Sequence, residues 1–412
     1  MDEARAQRKA DLEAGGLASA KASIRVLFMR LLVCEESELP VVTGAITAAG
    51  GWQDVAILAD RWRVFPSLFA RIPAGLAGFP AGEADALARK TSIQFFRTTI
   101  CLRAGCDALR TLTQAGIPAV AFKGAAVLAY LHESPKNRMI QDVDLLIPPR
   151  DLEESLRILE AAGFTRCISE GTVEELASFV AHSPGAAGNH AISLSNRQDA
   201  QLDLHWRLGG FDPDALIRSA LPIPVLQTSI PVVRPAIGLL LTVHHALRND
   251  LVPDEIARDV VDCGGWLRLL AEDSEEMKYA CALAREQGLF EVLAAMAIVL
   301  RRLGGGAPLF PENGREASTL ADLYLRQLED GPINADLAYL WSSRALGQIF
   351  TGLWHGWGRY RGLMRAFEVR QGDPTRSLLQ RGMRLLRSII ELSPKHGRQV
   401  MTLARCKDRV SA

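Results

Sequence analysis

The chain carries no surplus of charge: 47 basic residues balance 47 acidic ones across 412 positions. Nothing in that total suggests a nucleic-acid binder with a broad basic surface, or a strongly acidic substrate. Cysteine is scarce, scattered and odd in number, with seven residues (34, 101, 106, 167, 263, 281 and 406) and no CxxC pair. A zinc cage or redox dithiol is therefore not expected, and reduced thiols are. No uncharged apolar run reaches the roughly 18 residues of a membrane span. The opening MDEARAQRKADLEAGG has no apolar signal core. These absences lead to the expectation of a soluble cytoplasmic protein. There is no internal repeat. Hydrophobic residues make up 48% of the chain, enough for a substantial core, and the length suggests about two or three domains.

The coarse pattern is helical, then alternating, then helical again. The first sixteen residues are charged and expected to be frayed or loosely helical. Apolar residues recur at helical spacing over Ser23–Cys34 (Ile24, Leu27, Leu31) and over residues 55–72 (Val55, Leu58, Trp62, Phe69). A Pro/Gly break covers residues 73–83. A long helix is expected from Glu83 to about Ala115, with Leu87, Ile93, Phe96, Ile100, Leu109 and Leu112 among its apolar positions. Gly116 stands where such a helix stops.

From there short apolar runs alternate with turns. Ile117–Phe122 reads as a buried strand and Gly124 opens a small-residue helix, AAVLAYL. Met139–Ile147 reads as a second strand, closed by Pro148-Pro149. Asp151 suits the cap of an amphipathic helix, LEESLRILEAAGF, after which Phe164–Ile168 returns as a strand. His190–Leu194 and Gln201–Leu208 alternate like a hairpin joined by SNRQDA. Beyond Pro213 the chain looks mostly helical, with helices at Glu255–Leu270, Glu275–Gln287 and Phe290–Leu303 and a GGGAP break after them. The last 61 residues hold thirteen basic against four acidic side chains. Leu379, Met383, Leu386 and Ile390 share a helix face there, flanked by Arg381, Arg384 and Arg387. This fits a docking helix with a solvated basic side, or a contact with an anionic surface. Trp354, Trp357 and Tyr360 read as a packing stripe.

The chemistry concentrates in AFKGAAVLAYLHESPKNRMIQDVDLLI, residues 121–147. Asp142 and Asp144 lie two apart, so on a strand they share one side. Like charges that close repel, and a divalent cation between them is the usual compensation. Oxygen donors suit Mg²⁺ or Mn²⁺, ions that also hold substrate phosphates. Upstream, Lys123-Gly124-Ala125 links a strand to a helix, where a glycine lets backbone N–H groups approach a phosphate. Arg138 precedes the acidic pair. Downstream, Asp203 and His205 in QLDLHW share one strand face, with Leu202, Leu204 and Trp206 on the other. Asp203 supplies a third carboxylate, the set that two-metal phosphoryl transfer needs. His205 is expected to support the site rather than bind metal, and His244 and His245 to be packed or hydrogen-bonded on a helix.

The order of these motifs resembles the minimal nucleotidyltransferase branch of the DNA polymerase β-like superfamily, and within it an uncharacterised bacterial nucleotidyltransferase family. The likeness covers about residues 116–210. His244-His245 and RDVVDCGGWLRLL fit more loosely. The resemblance implies an α+β fold, with a mixed β-sheet core, flanking helices and larger helical regions on both sides. It divides the chain into a helical region (1–115), a nucleotidyltransferase core (116–210), a helical region (211–330) and a basic helical region (331–412). It implies transfer of NMP from an NTP such as ATP to a hydroxyl or phosphate acceptor, with Mg²⁺ or Mn²⁺ as cofactor. Asp142, Asp144 and Asp203 match the metal-binding and catalytic carboxylates. Gly124 matches the glycine of the superfamily's glycine-plus-small-residue step. Ala125 stands where a serine is frequent, which removes a hydroxyl from the triphosphate side. Lys123 and Arg138 resemble positions of the narrower family, and contact with phosphate is inferred for both. Two other readings use the same residues. One is a non-catalytic nucleotide sensor or partner-binding module on this fold. The other is a sugar-nucleotide glycosyltransferase using the DVD, against which the glycine turn and Asp203 argue.

Overall fold

The computed structural model describes residues 23–72, 79, 81–167, 191–249, 251, 253–271, 273–307, 310, 314–330 and 406. The frayed N-terminus, the basic helix around Leu379–Ile390 and the Trp354/Trp357/Tyr360 stripe lie outside the described residues.

Four short helices come first: α1 (Ile24–Val33), α2 (Leu39–Ala48), α3 (Trp52–Arg61) and α4 (Phe65–Arg71). The side chain of Ser23 caps α1 by accepting from the Val26 N–H. The helix expected over residues 55–72 is two helices, because Arg63 takes a positive φ of 58° and turns the chain between them. The long helix α5 (Ala81–Gln114) follows. Its buried face includes Leu87, Gln94, Thr98, Cys101, Leu109 and Leu112, while Ile93, Phe96 and Ile100 are exposed. Polar side chains take the inner positions because they bond backbone. The Thr98 hydroxyl accepts from the Ile140 N–H (3.1 Å), and the Gln94 amide donates to the Ile140 carbonyl (3.1 Å). These bonds satisfy a buried peptide.

A seven-stranded mixed sheet forms the centre. Its strands are β1 (Val120–Phe122), β2 (Asp142–Leu146), β3 (Thr165–Arg166), β4 (Ala191–Ser195), β5 (Gln201–His205), β6 (Leu221–Val225) and β7 (Thr228–Val232). The spatial order is β3-β4-β5-β2-β1-β7-β6. β2 runs parallel to β5 and antiparallel to β1, and β1 runs parallel to β7. Helix α6 (Gly124–Leu131) leaves β1, and α7 (Leu152–Ala161) connects β2 to β3. Asp151 sits at the cap position of α7, yet its side chain makes no capping bond.

The β6–β7 hairpin corrects the expectation of a helical stretch after Pro213, where only the short α8 (Pro213–Arg218) precedes it. Its turn uses Leu226 and Gln227, both at positive φ (46° and 66°), where glycine or asparagine would have signalled a hairpin. Pro222 and Pro224 stand on β6, the edge strand, where a missing N–H costs least.

Helices α9 (Pro235–Arg248), α10 (Pro253–Ala271), α11 (Ser274–Glu286), α12 (Phe290–Arg302) and α13 (Arg315–Asp330) complete the described chain. α10 packs close to its neighbours. An added Cβ at Gly265 would come within 2.7 Å of Leu131 on α6, and one at Gly238 on α9 within 2.6 Å of Trp266. Among the described residues, no single helix is long and apolar enough to cross a membrane.

Candidate active site

The acidic pair is placed by backbone bonds on both sides. The Ile140 peptide is pinned by Gln94 and Thr98, and the Cys101 thiol donates to the Gln141 carbonyl at 3.3 Å. α5 thus fixes the chain immediately before Asp142. Val143 and Leu145 turn to the packed face, and Gly105 of α5 lies against Val143 so closely that an added Cβ would stand 2.6 Å from its Cγ1.

On the other face, β-sheet register assembles the charges. Asp144 is directly paired with Asp203 across the parallel β2–β5 ladder, and with Phe122 across the antiparallel β1–β2 ladder. Asp203, from sixty residues downstream, is therefore beside the acidic pair. One ligand atom each from Asp144, Asp203 and His205 lies within 4.8 Å of the others. Asp144 is buried, at 4% exposure. Its Oδ1 meets His205 Nε2 at 2.9 Å and accepts from Lys123 Nζ at 2.5 Å. The His205 ring also stands edge-on to Phe122. Asp203 Oδ1 accepts from the Ser193 hydroxyl at 2.6 Å.

Burial alone would push the Asp144 carboxyl up. The Lys123 charge and the bonds from His205 and Lys123 outweigh it, and the carboxyl sits below its ordinary range. Asp142 goes the other way. Burial first, then the charges of Asp144 and Asp203, raise it, with Lys123 and Arg258 opposing. Among the described residues no hydrogen bond or ion pair reaches the Asp142 carboxylate. Two carboxylates, a third held by a serine hydroxyl and an imidazole make a donor set whose mutual repulsion at Asp142 is offset only in part by Lys123 and Arg258, and such a set suits a divalent cation.

Lys123 follows β1 at φ 49° and ψ −121°, a backbone region that ordinarily favours glycine. This turn brings its side chain back over the Phe122 ring and onto Asp144. Gly124 and Ala125 open α6, whose N-terminus has no side-chain cap. An added Cβ at Gly124 would meet nothing nearer than Ile140 at 3.5 Å, so internal packing does not demand glycine there.

Arg138 lies elsewhere. It is buried, and its guanidinium forms a forked pair with Asp262 of α10 (Nε–Oδ1 3.0 Å, Nη2–Oδ2 2.6 Å) and donates to the Met139 carbonyl (2.6 Å). The inferred phosphate contact is thus set against a guanidinium already engaged inside the protein. His245 Nδ1 meets Asp259 of α10 at 2.7 Å, and His244 stands edge-on to Phe211.

Residues 48–305, well over half of the chain, match the family described as "Uncharacterised nucleotidyltransferase". The chain belongs to this family. No curated protein matches it. The matched span contains the sheet and the acidic cluster on it. It also covers residues not singled out from the sequence as site residues: Ser193, which orients Asp203, and the RDVVD turn of α10, whose Arg258 charge acts on Asp142. The sequence reads a helix at Glu255–Leu270, and the signal within it is RDVVD, a cluster of charges amid apolar and small residues.

Proposed function

We propose that this nucleotidyltransferase-family protein transfers a nucleoside monophosphate from an NTP to a hydroxyl or phosphate acceptor, using Mg²⁺ or Mn²⁺. The observation that carries the reading is the Asp144–Asp203 register pair, with His205 on the same face and, beside it, Asp142 without a hydrogen-bond or ion-pair partner among the described residues. Asp142, Asp144 and Asp203 would hold the cation, with His205 at the same cluster. When bound, the cation lowers the pKa of an acceptor hydroxyl and offsets charge on the phosphates.

The chain's own groups supply the rest. The uncapped N-terminus of α6, at Gly124, offers N–H groups to the triphosphate. Lys123 adds a positive charge at the same end of β1. Asp203 is held by Ser193 with one oxygen, and its other oxygen is suited to take the acceptor's proton. The acceptor oxygen forms its bond to the α-phosphorus as the bond to the β-phosphate oxygen breaks, and pyrophosphate leaves. Neither acceptor nor base is specified by this core, and ATP is one of four equivalent donors.

One observation favours a second reading. Lys123 already occupies Asp144, and Ala125 brings no hydroxyl to the phosphates, as a sensor that binds nucleotide without turnover could tolerate. Incubation with each labelled NTP, Mg²⁺ and cell extract separates the two. Pyrophosphate release and a labelled acceptor support transfer, whereas binding without release supports the sensor. Asp142→Asn combined with Asp144→Asn is expected to abolish turnover with the fold intact. Unchanged turnover in that double variant overturns the assignment.

A further inference from the structure

We propose that Arg258, on a helix outside the sheet, binds the phosphate chain of the incoming nucleotide. The proposal rests on the nucleotidyl-transfer reading and deepens it.

Three charged residues stand on one turn of α10: Arg258, Asp259 and Asp262. Both acids are engaged elsewhere. Asp259 meets His245 of α9 at 2.7 Å, and Asp262 forms the forked pair with Arg138. Both are buried, at 7% and 4% exposure, so neither is replaced easily by water. Arg258 lies one turn before Asp262, so the two share a helix face. Asp262 ties that face to Arg138, four residues before Asp142, and the Arg258 charge acts on Asp142.

Arg258 is half-buried and, among the described residues, makes no hydrogen bond or ion pair. Its charged neighbours are Arg138, Asp259, Asp262 and Asp142. Arg138 is the strongest influence on it, and two guanidinium groups in partial burial repel. Asp259 and Asp262 offset that only in part, because each is already engaged by another side chain, Asp259 by His245 and Asp262 by Arg138. An anion at Arg258 completes the balance. The arginine's charge acts on Asp142 of the site, where phosphate oxygens would also meet the metal. Arg138, the arginine the sequence singles out, engages Asp262 in the forked pair.

The test uses the full chain and inorganic tripolyphosphate, which needs no knowledge of the base. Titration calorimetry with Mg²⁺ is expected to show binding to the unaltered protein. Arg258→Ala is expected to weaken it by at least about tenfold, the size of one lost charge-assisted contact. Arg258→Lys should recover part of the loss. Arg258→Gln, which keeps most of the length and the packing, should behave like alanine and decides the matter if the alanine variant unfolds. Mn²⁺ affinity without phosphate, read by electron paramagnetic resonance, should stay level or rise, because a positive neighbour of Asp142 is gone. Equal tripolyphosphate affinity in Arg258→Gln and the unaltered protein overturns the role of Arg258 and leaves the nucleotidyl-transfer reading standing. A parallel fall in Mn²⁺ affinity also overturns it, since the arginine would then act by shaping the acidic site. No binding of tripolyphosphate or labelled NTP to the unaltered protein overturns both.

Discussion

Lys123 Nζ lies 2.5 Å from Asp144 Oδ1, the same oxygen that His205 Nε2 meets at 2.9 Å. A single carboxylate oxygen therefore faces a lysine just after β1 and a histidine from β5. Lys123 stands where a cation on Asp144 would otherwise bear. Replacing it with alanine is expected to tighten Mn²⁺ binding about three- to tenfold without nucleotide, the effect of removing one like charge at close range. The same substitution should weaken nucleotide binding. Metal and nucleotide titrations moving in the same direction would contradict this.

The two acids of the DVD should respond oppositely to neutralisation in EDTA. Asp142 is held above its ordinary 3.8 and Asp144 below it. Ionised Asp142 therefore costs the fold stability, and Asp142→Asn is expected to raise stability at pH 7. The gain should disappear as the pH falls through the window between the raised value and 3.8, where the native carboxyl protonates. Asp144→Asn should destabilise, leaving Lys123 and His205 facing an amide. Its deficit should be full above pH 3.8 and shrink only as the pH drops toward the depressed value. Urea melts of both variants across this range check the signs.

Arg138 is tested by stability rather than by kinetics. It and Asp262 are 6% and 3% exposed at their side chains. Arg138→Ala strands a buried carboxylate and is expected to cost about 3–5 kcal/mol. Arg138→Met with Asp262→Leu should recover most of that. A single variant as stable as the unaltered protein in urea would show that the pair is not structural.

Gly105 tests how α5 seats β2. An added Cβ would lie 2.6 Å from Val143 Cγ1, between the two acids in sequence. Gly105→Ala is expected to destabilise by about 1–3 kcal/mol by overpacking. Because the displaced strand carries Asp142 and Asp144, Mn²⁺ affinity should fall with the melting temperature. Gly116→Ala, where nothing lies within 4 Å but φ is +80°, serves as a comparison that strains backbone away from the site.

Much of the site was legible because its signals are local. DVD and LDLH are strand patterns whose period of two places charge on one side and leucine on the other. The KG step reads as the end of a strand and the start of a helix. What sequence missed depended on unusual local choices. The β6–β7 hairpin turns on Leu226-Gln227 and carries three prolines, so its turn and its strands both lack their ordinary marks. The inner face of α5 uses Gln94 and Thr98 where hydrophobic spacing pointed to Ile93 and Phe96, because a buried strand peptide needed partners.

The sequence alone determined which side chains share a strand face, since alternation is a property of the extended backbone. It could therefore pair Asp142 with Asp144, and Asp203 with His205. Tertiary structure decided which pair meets which. The parallel β2–β5 register sets Asp144 beside Asp203, and helix packing sends Asp262 to Arg138. Both joinings span long stretches of chain, and such contacts depend on packing across the whole fold rather than on any residue's neighbours in sequence.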